Sequence, residues 1–148
     1  MDVTLELAMF KGPIAVTAAY FALWYGLLFG LQSRTKYKLQ AEYAARGEVF
    51  DRYFGQDGRM LAVDRVVINT QEQMVPFLVS MWLYAVFVSP TWAAGLGAGY
   101  VILRALYPLL IGASLSKTQS KRVFLVTGPC YAIVFTMLGS AVYTVLAA

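Results

Sequence analysis

The sequence predicts an all-α integral membrane protein, a four-helix bundle that crosses the bilayer up-down-up-down. Of its 148 residues, 59% are apolar and only 14% are charged, which is less charge than a soluble domain needs to cover its surface. The apolar residues form four long stretches, at approximately 12–32, 66–88, 92–115 and 123–147. Each is close to the ~20 residues that a helix needs to cross about 30 Å of hydrocarbon. The sequence does not show the sustained polar alternation of membrane barrels, so helices are the remaining spanning structure.

The first stretch is interpreted as a transmembrane helix rather than a cleaved signal peptide. A signal peptide has a basic N-terminal region followed by a short apolar core. Here Asp2 and Glu6 precede the stretch together with a single basic residue, Lys11. The apolar run is also longer than a signal core and contains a Trp-Tyr pair. These features favour a helix that stays in the membrane.

Basic residues are concentrated in two of the connecting loops, and this asymmetry predicts the orientation of the chain. The first loop and the loop before the fourth stretch hold these residues: Arg34, Lys36, Lys38, Arg46, Arg52, Arg59, Lys117, Lys121 and Arg122. The short connection 89–91 carries no charge. Both basic loops are therefore expected in the cytoplasm, with both termini outside.

The long first loop has two features of local structure. Good helix formers from Lys38 to Arg46 predict that the first helix continues beyond the membrane. The segment Gly55-Gln-Asp-Gly58 predicts a turn before the second stretch. No internal repeat, low-complexity tract or linker divides the sequence. Residues 1–148 are therefore interpreted as a single transmembrane domain.

The second stretch carries polar residues that lipid does not tolerate. Arg65, Asn69, Glu72 and Pro76 are spaced by four, three and four residues, which places them on one narrow face of a helix, with Gln73 at its edge. An ionised side chain at membrane depth costs on the order of several kcal/mol unless it is paired. These side chains are therefore expected to face another helix, another subunit or a hydrated cavity.

The third stretch offers partners for this polar face. Arg104 lies deep within the stretch, and Tyr107 follows three residues later. Glu72 could neutralise Arg104 or Arg65 and hold the bundle together. Alternatively, two arginines, an amide, a carboxylate and a phenol converge in a binding site, since ionisable groups inside a membrane are functional candidates by default. The excess of positive charge predicts an anionic or zwitterionic ligand, approached from the cytoplasmic side.

Several other features have simple interpretations and exclude some functions. Small residues in Gly95–Gly99 indicate close helix packing, and Cys130, the single cysteine, is interpreted as a buried apolar residue.

The chain has no histidine, which removes the commonest metal ligand and the usual general base, so no metal cofactor is predicted. Attraction to anionic lipid explains the basic residues beside the spans, so membrane lipids rather than nucleic acid are the predicted partners.

One pattern runs through the last three stretches: Arg65-x-x-x-Asn69-x-x-Glu72-x-x-x-Pro76, then Arg104-x-x-Tyr107, then Gly128-Pro129. This pattern resembles the MAPEG family, the membrane-associated proteins in eicosanoid and glutathione metabolism. That family includes microsomal glutathione transferases, leukotriene and prostaglandin synthases, and a non-catalytic lipid-presenting member. The resemblance extends from about Gly12 to the C-terminus and includes the helix number and the long basic first loop. The turn before the second stretch looks like that of bacterial members, which implies a bacterial inner membrane.

The resemblance implies a homotrimer that binds glutathione between neighbouring subunits, near the cytoplasmic face. It also implies which residues contact this cofactor: Arg34, Arg65, Asn69, Glu72, Gln73, Arg104 and Tyr107. Arginines suit the two carboxylates of glutathione because a guanidinium presents paired donors to a carboxylate. Glu72 could accept the ammonium group. In such enzymes an arginine or a hydroxyl stabilises the thiolate, so that the nucleophile exists at neutral pH.

The chain also departs from the family pattern. Many catalytic members have a tyrosine one helical turn after the position of Tyr107, and Ile111 occupies that place here. The family's thiolate-activating arginine lies near the start of the fourth helix, where this loop offers Lys117, Lys121 and Arg122. Arg122 is the best catalytic candidate, although an arginine in this place is also typical of a membrane anchor.

Two functions are consistent with these residues. The first is a glutathione-dependent transferase or peroxidase that acts on a lipophilic electrophile entering from the bilayer, by positioning and by thiolate stabilisation. The second is a non-catalytic MAPEG-like protein that binds a lipid or serves as an accessory subunit of a larger membrane complex. A transporter or channel is less consistent, because the sequence shows no pair of broken helices and no inverted repeat.

Overall fold

The first helix extends well beyond the thickness of a membrane. The computed structural model describes residues 6–115 and 121–148, and these residues form helices without strands. A 3₁₀ turn, Leu7–Phe10, leads into α1, Lys11–Tyr25, which continues through a π-helical segment, Gly26–Ser33, into α2, Arg34–Ala45. At about 1.5 Å per residue, these 39 residues are far longer than the hydrocarbon core. The predicted helical continuation over Lys38–Arg46 is confirmed as far as Ala45.

The second helix is broken in two, which the sequence interpretation did not anticipate. Helix α3, Gly58–Glu72, and helix α4, Met74–Phe87, are separated at Gln73. The break has a local cause, because Pro76 has no backbone N–H to donate to the carbonyl of Glu72 four residues earlier. The prediction of one unbroken helix over 66–88 is therefore wrong on this point.

The last two helices are continuous and agree with the predicted spans apart from one end. Helix α5, Pro90–Ile111, begins with Ser89 as its N-cap and ends at Gly112, whose φ of 84° stops the helix. The predicted stretch 92–115 therefore runs a few residues too far. A 3₁₀ turn, Lys121–Val123, precedes α6, Phe124–Leu146.

Three helices among the described residues are long and apolar enough to cross a membrane. They are Leu7–Ala45, Pro90–Ile111 and Lys121–Leu146. Helices α3 and α4, of 15 and 14 residues, are each shorter than the ~20 residues that a spanning helix needs. The four-helix prediction thus corresponds to three continuous helices and one broken helix.

Helix α5 lies at the centre of the bundle and packs against α1, α4 and α6. Stacked aromatic rings join these helices, with the ring centroids of Phe77 and Tyr100 3.9 Å apart and that of Tyr20 5.1 Å from Phe77. A Cβ at Gly97 would come within 2.8 Å of Val16 and 2.9 Å of Met81, so glycine is what permits this close approach.

A small second core lies at one end of the bundle, where α3 begins and α5 ends. The backbone N–H of Leu115 donates to the carbonyl oxygen of Gly58 at 2.9 Å. The first loop, which is rich in lysine and arginine, lies at this end, and we call it the basic end. Leu39, Met60 and Val63 are buried together here and join α2 to α3. The extension of the first helix is thus packed against the start of the second.

Asp57 caps the N-terminus of α3 and connects it to the first helix. Its carboxylate accepts the backbone N–H groups of Arg59 and Met60 and the hydroxyl of Tyr43. Burial would raise the pKa of this carboxyl, but the hydrogen bonds from the Arg59 side chain and from these other groups outweigh burial and hold the pKa below its ordinary 3.8. The stabilisation is therefore complete at neutral pH and is lost as the pH falls below that value.

Replacing Asp57 by alanine is expected to lower the free energy of unfolding by about 1 kcal/mol, through loss of the N-cap. The measurement is thermal or denaturant unfolding of the full chain in detergent, followed by circular dichroism. Asp57→Asn is the matched control, because asparagine caps a helix as well as aspartate does and loses only the contacts of the second carboxylate oxygen, which are with Arg59 and Tyr43. If Asp57→Ala unfolds like the wild type, the cap does not stabilise α3.

Candidate functional site

Arg104 is a buried cation inside the helix bundle. Its side chain has no exposed surface, and its Nη2 donates to the Oδ1 of Asn69 on α3. Its Cζ lies 4.6 Å from the ring centroid of Tyr107. Nε and Nη1 have no hydrogen-bond partner within residues 6–115 and 121–148. Buried charged donors without partners are costly, so this arrangement is typical of a functional site rather than of a well-satisfied core.

A hydroxyl group without a hydrogen-bond partner lies in the same region, as far as the described residues show. The Tyr100 hydroxyl is buried and, like the Arg104 donors, lacks a hydrogen-bond partner in the part of the chain that the structure describes. The neighbouring Tyr20 hydroxyl instead donates to the carbonyl oxygen of Thr70 at 2.6 Å. The interior between α1, α3 and α5 is therefore polar around Arg104.

The two charged residues beside Asn69 on α3 lie on the outer surface of the chain. Arg65 and Glu72 are exposed, whereas Asn69 between them is half-buried. Asn69 contacts Arg104, and Arg65 and Glu72 lie one turn of α3 on either side of Asn69, so the four side chains share one neighbourhood. We call Arg65, Asn69 and Glu72 the polar stripe.

The partner of Arg104 is an amide rather than a carboxylate. Among the described residues, neither Glu72 nor Arg65 forms an ion pair. The interpretation in which Glu72 neutralises Arg104 or Arg65 within the chain is therefore not what the structure contains. Within the described residues, Arg65 and Glu72 are thus two exposed charges without an ion-pair partner.

Gln73 lies at the break between α3 and α4 and reaches the last helix. Its Nε2 donates to the hydroxyl of Tyr131 at 3.1 Å. Tyr131, whose ring stacks on Phe135, was not a candidate from the sequence. The only hint in the sequence is its hydroxyl group within an apolar span. The structure thus brings α6 to the edge of the polar stripe.

Arg34 and Arg122 lie apart from the buried part of this region. Arg34 is exposed and is the first residue of α2, directly after the π-helical segment. It makes no hydrogen bond or ion pair with the polar stripe in the described parts of the chain. Arg122 is exposed in the 3₁₀ turn before α6, and Lys117 lies outside the described residues.

A half-buried ion pair that sequence reasoning missed holds the first loop against the start of the second helix. Both terminal nitrogens of Arg52 donate to the Asp64 carboxylate at 2.9 Å, and Gln32 Nε2 donates to the same carboxylate at 2.6 Å. Paired donors on one carboxylate give a strong, oriented contact. Asp64 precedes Arg65, so this contact fixes the turn of α3 from which the polar stripe begins.

No group of histidine, cysteine, aspartate and glutamate side chains in the described ranges could hold a metal ion. Cys130 is a free, buried thiol. The chemistry available at the polar stripe is therefore that of guanidinium, amide, carboxylate and phenol groups, which bind and orient a ligand that carries both signs of charge.

Comparisons with known proteins agree with the resemblance found in the sequence. The family model described as the MAPEG family matches residues 14–143. A curated protein of the cyanobacterium Synechocystis, described as uncharacterized, is 34% identical over 96 residues, which cover 64% of this chain and 63% of that protein. The match thus spans less than two thirds of the relative's length. No solved structure matches the chain. Because the family model covers most of the sequence, the chain belongs to the MAPEG family.

Proposed function

We propose that this protein binds glutathione at the polar stripe and uses its thiol in a transferase or peroxidase reaction on a lipophilic electrophile. The observation that carries the proposal is the combination of a buried, under-satisfied Arg104 with exposed, unpaired Arg65 and Glu72 around one half-buried amide. Arg65 and Glu72 lack counter-groups among the described residues. A ligand that carries both a carboxylate and an ammonium group, as glutathione does, supplies them.

Each part of glutathione has a chemically matched residue in this proposal. Arg65 pairs with a carboxylate, for which a guanidinium offers two parallel donors. Glu72 accepts the ammonium group, and the Asn69 amide bonds to a peptide group of the ligand. Arg104 has no exposed surface, so its first role is to orient Asn69 and Tyr107 rather than to touch the ligand directly.

The proposed assembly is a homotrimer with the ligand between subunits, as the resemblance to the family implies. Charged groups on the outer surface of a membrane helix cannot face lipid without a large cost. Arg65 and Glu72 are in that position in the isolated chain. A neighbouring subunit would cover them and bring the exposed Arg34 of its own first helix toward the ligand.

The proposed chemistry needs only a thiolate and a positioned electrophile. The thiol loses its proton to solvent, the thiolate sulfur forms a bond to the electrophilic carbon, and the leaving group departs with the electron pair of its bond. A guanidinium near the sulfur favours the thiolate over the thiol. Arg122 is the proposed source of this charge, at the basic end where the water-soluble ligand enters.

The test is calorimetric titration of the purified protein with glutathione in detergent, together with an assay for conjugation of a chlorinated nitroaromatic compound. Binding with turnover is the expected result. Absence of binding at millimolar glutathione would overturn the proposal. Binding without turnover would support the non-catalytic alternative, a lipid-binding protein or an accessory subunit, which the apolar Ile111 in place of the family tyrosine favours.

The proposed placement of the chain is a bacterial inner membrane, with residues 1–148 as one domain and both termini outside. The support is the charge asymmetry of the loops, because loops rich in lysine and arginine remain on the cytoplasmic side. Cysteine labelling at Thr91 and at Arg46 in whole cells tests this orientation. Labelling by a membrane-impermeant reagent is expected at Thr91→Cys, and the opposite pattern would contradict it.

A further inference from the structure

A groove of about 460 Å³ opens at the basic end of the bundle, and no residue of the polar stripe lines it. Its walls come from the end of the first helix, the start of α3 and the end of α5. Leu31, Val66 and Leu109 are among the apolar side chains of the walls, while Lys38, Thr35 and Arg59 are the polar ones. Its volume falls in the range of roughly 300–1,000 Å³ that is common for small-molecule sites.

The lining of the groove changes from apolar to basic at the depth where the bilayer is expected to change from hydrocarbon to polar headgroups. Leu31 and Val66 belong to predicted spans, whereas Lys38 and Arg59 lie in the basic region beyond those spans. An amphiphile of the bilayer has the same order, with hydrocarbon inside and a polar headgroup at the interface. The groove therefore matches a lipid in both chemistry and depth.

The charges at the mouth of the groove favour an anionic headgroup. Arg59 already has two carboxylate partners, since its guanidinium donates to Glu42 at 2.7 Å and to Asp57 at 3.2 Å. Lys38 is 76% exposed and reaches Glu42 only at 4.0 Å, the outer limit of an ion pair. The Thr35 hydroxyl makes no hydrogen bond within the described residues. An ammonium group and a hydroxyl donor are thus available on one turn of α2.

The backbone around the groove is held in place by specific contacts. Helix α5 ends at Gly112, and the hydrogen bond from Leu115 to Gly58 ties the following residues to the start of α3. On α3 the groove residues Ala62 and Val66 each lie one helical turn from a member of the polar stripe, Arg65 and Asn69 respectively, so the groove opens beside the stripe. The groove and the polar stripe use different side chains of the same helix.

We propose that this groove binds one acyl chain of an anionic phospholipid from the cytoplasmic leaflet, with the phosphate at Lys38 and Thr35. The hydrocarbon lies against Leu31, Val66 and Leu109, and the phosphodiester accepts hydrogen bonds from the lysine and the threonine. Anionic lipids are attracted to basic residues at this interface by about 1 kcal/mol per lysine, which corresponds to about a fivefold change in affinity.

Native mass spectrometry of the full chain in detergent, titrated with phosphatidylglycerol or phosphatidylcholine, tests the proposal. The wild type is expected to bind phosphatidylglycerol about fivefold more tightly than phosphatidylcholine, and Lys38→Gln is expected to remove this preference. Lys36→Gln is the matched control, because Lys36 is a cation on the same helix that does not line the groove. Equal affinity of the wild type for both lipids, or equal effects of Lys36→Gln and Lys38→Gln, would overturn the site.

A second variant tests the part of the site that holds the acyl chain. Ala113 is an exposed groove residue, and Ala113→Trp places a large side chain in the groove without disturbing the core. This variant is expected to weaken the binding of both phospholipids about equally. Unchanged binding of both phospholipids would show that no acyl chain lies in the groove. Glutathione binding by Lys38→Gln should match the wild type, so this proposal and the proposed function fail independently.

Discussion

Arg104→Met is expected to lower glutathione affinity by about ten- to a hundredfold without lowering thermal stability. The affinity falls because Asn69 loses the donor that orients its amide, and a hydrogen bond to a charged group contributes about 1.5–3 kcal/mol. Stability does not fall because Nε and Nη1 of Arg104 are buried without partners in the described residues. Replacing such a charge by an apolar side chain of similar volume is often neutral or stabilising.

Lower glutathione affinity together with unchanged thermal stability distinguishes an arginine that serves ligand binding from one that serves the fold. The two measurements are a calorimetric titration with glutathione and a thermal unfolding curve, both on the same detergent preparation. Arg104→Lys is the matched control, because it keeps the charge but loses the planar fork of donors, so its affinity should fall between those of the other two proteins. A lower melting temperature with unchanged glutathione binding would show that Arg104 serves the fold alone.

Glu72→Gln is expected to abolish detectable glutathione binding while the oligomer stays intact. The substitution keeps the shape of the side chain and removes the negative charge that faces the ligand ammonium. Removing one member of a desolvated charge pair costs about 2–5 kcal/mol, or roughly thirty- to several thousandfold in affinity. Glu72 makes no ion pair within the described chain, so its loss should leave the subunit fold unchanged.

Glu48→Gln is the control for Glu72→Gln. Glu48 pairs with Arg46 at 3.1 Å on the exposed first loop, where an ion pair contributes little. Both variants are compared with the wild type by calorimetry and by size-exclusion chromatography with light scattering. If Glu72→Gln dissociates the oligomer, Glu72 holds subunits together and does not bind a ligand.

Hydrophobic pattern was enough to predict most of the helical architecture, and helix α6 lies within one residue of its predicted ends. The predicted stretch 92–115 runs past Gly112, although a glycine is a recognisable signal for the end of a helix. The break at Gln73 could also have been predicted from the sequence, because Pro76 has no backbone N–H to donate within the helix. The π-helical segment Gly26–Ser33 has no such signal, since its residues suit an ordinary helix equally well.

The candidate site was only partly predictable because helical spacing locates residues on a face but does not select their partners. Spacing placed Asn69 and Glu72 together and suggested Arg104 as a neighbour. Which of the two meets the guanidinium depends on how α5 packs against α3, and the structure selects Asn69. The contact of Arg52 with Asp64 joins a loop to a helix across twelve residues, and no periodicity predicts such a pair.

The most direct test of the central claim is a density map of the protein in lipid nanodiscs with millimolar glutathione. The proposal predicts tripeptide density between subunits, with a carboxylate at Arg65, the ammonium at Glu72 and a peptide group at Asn69. Lipid-tail density over the polar stripe, or direct pairing of Arg65 and Glu72 with residues of a neighbouring subunit and no ligand between them, would contradict it.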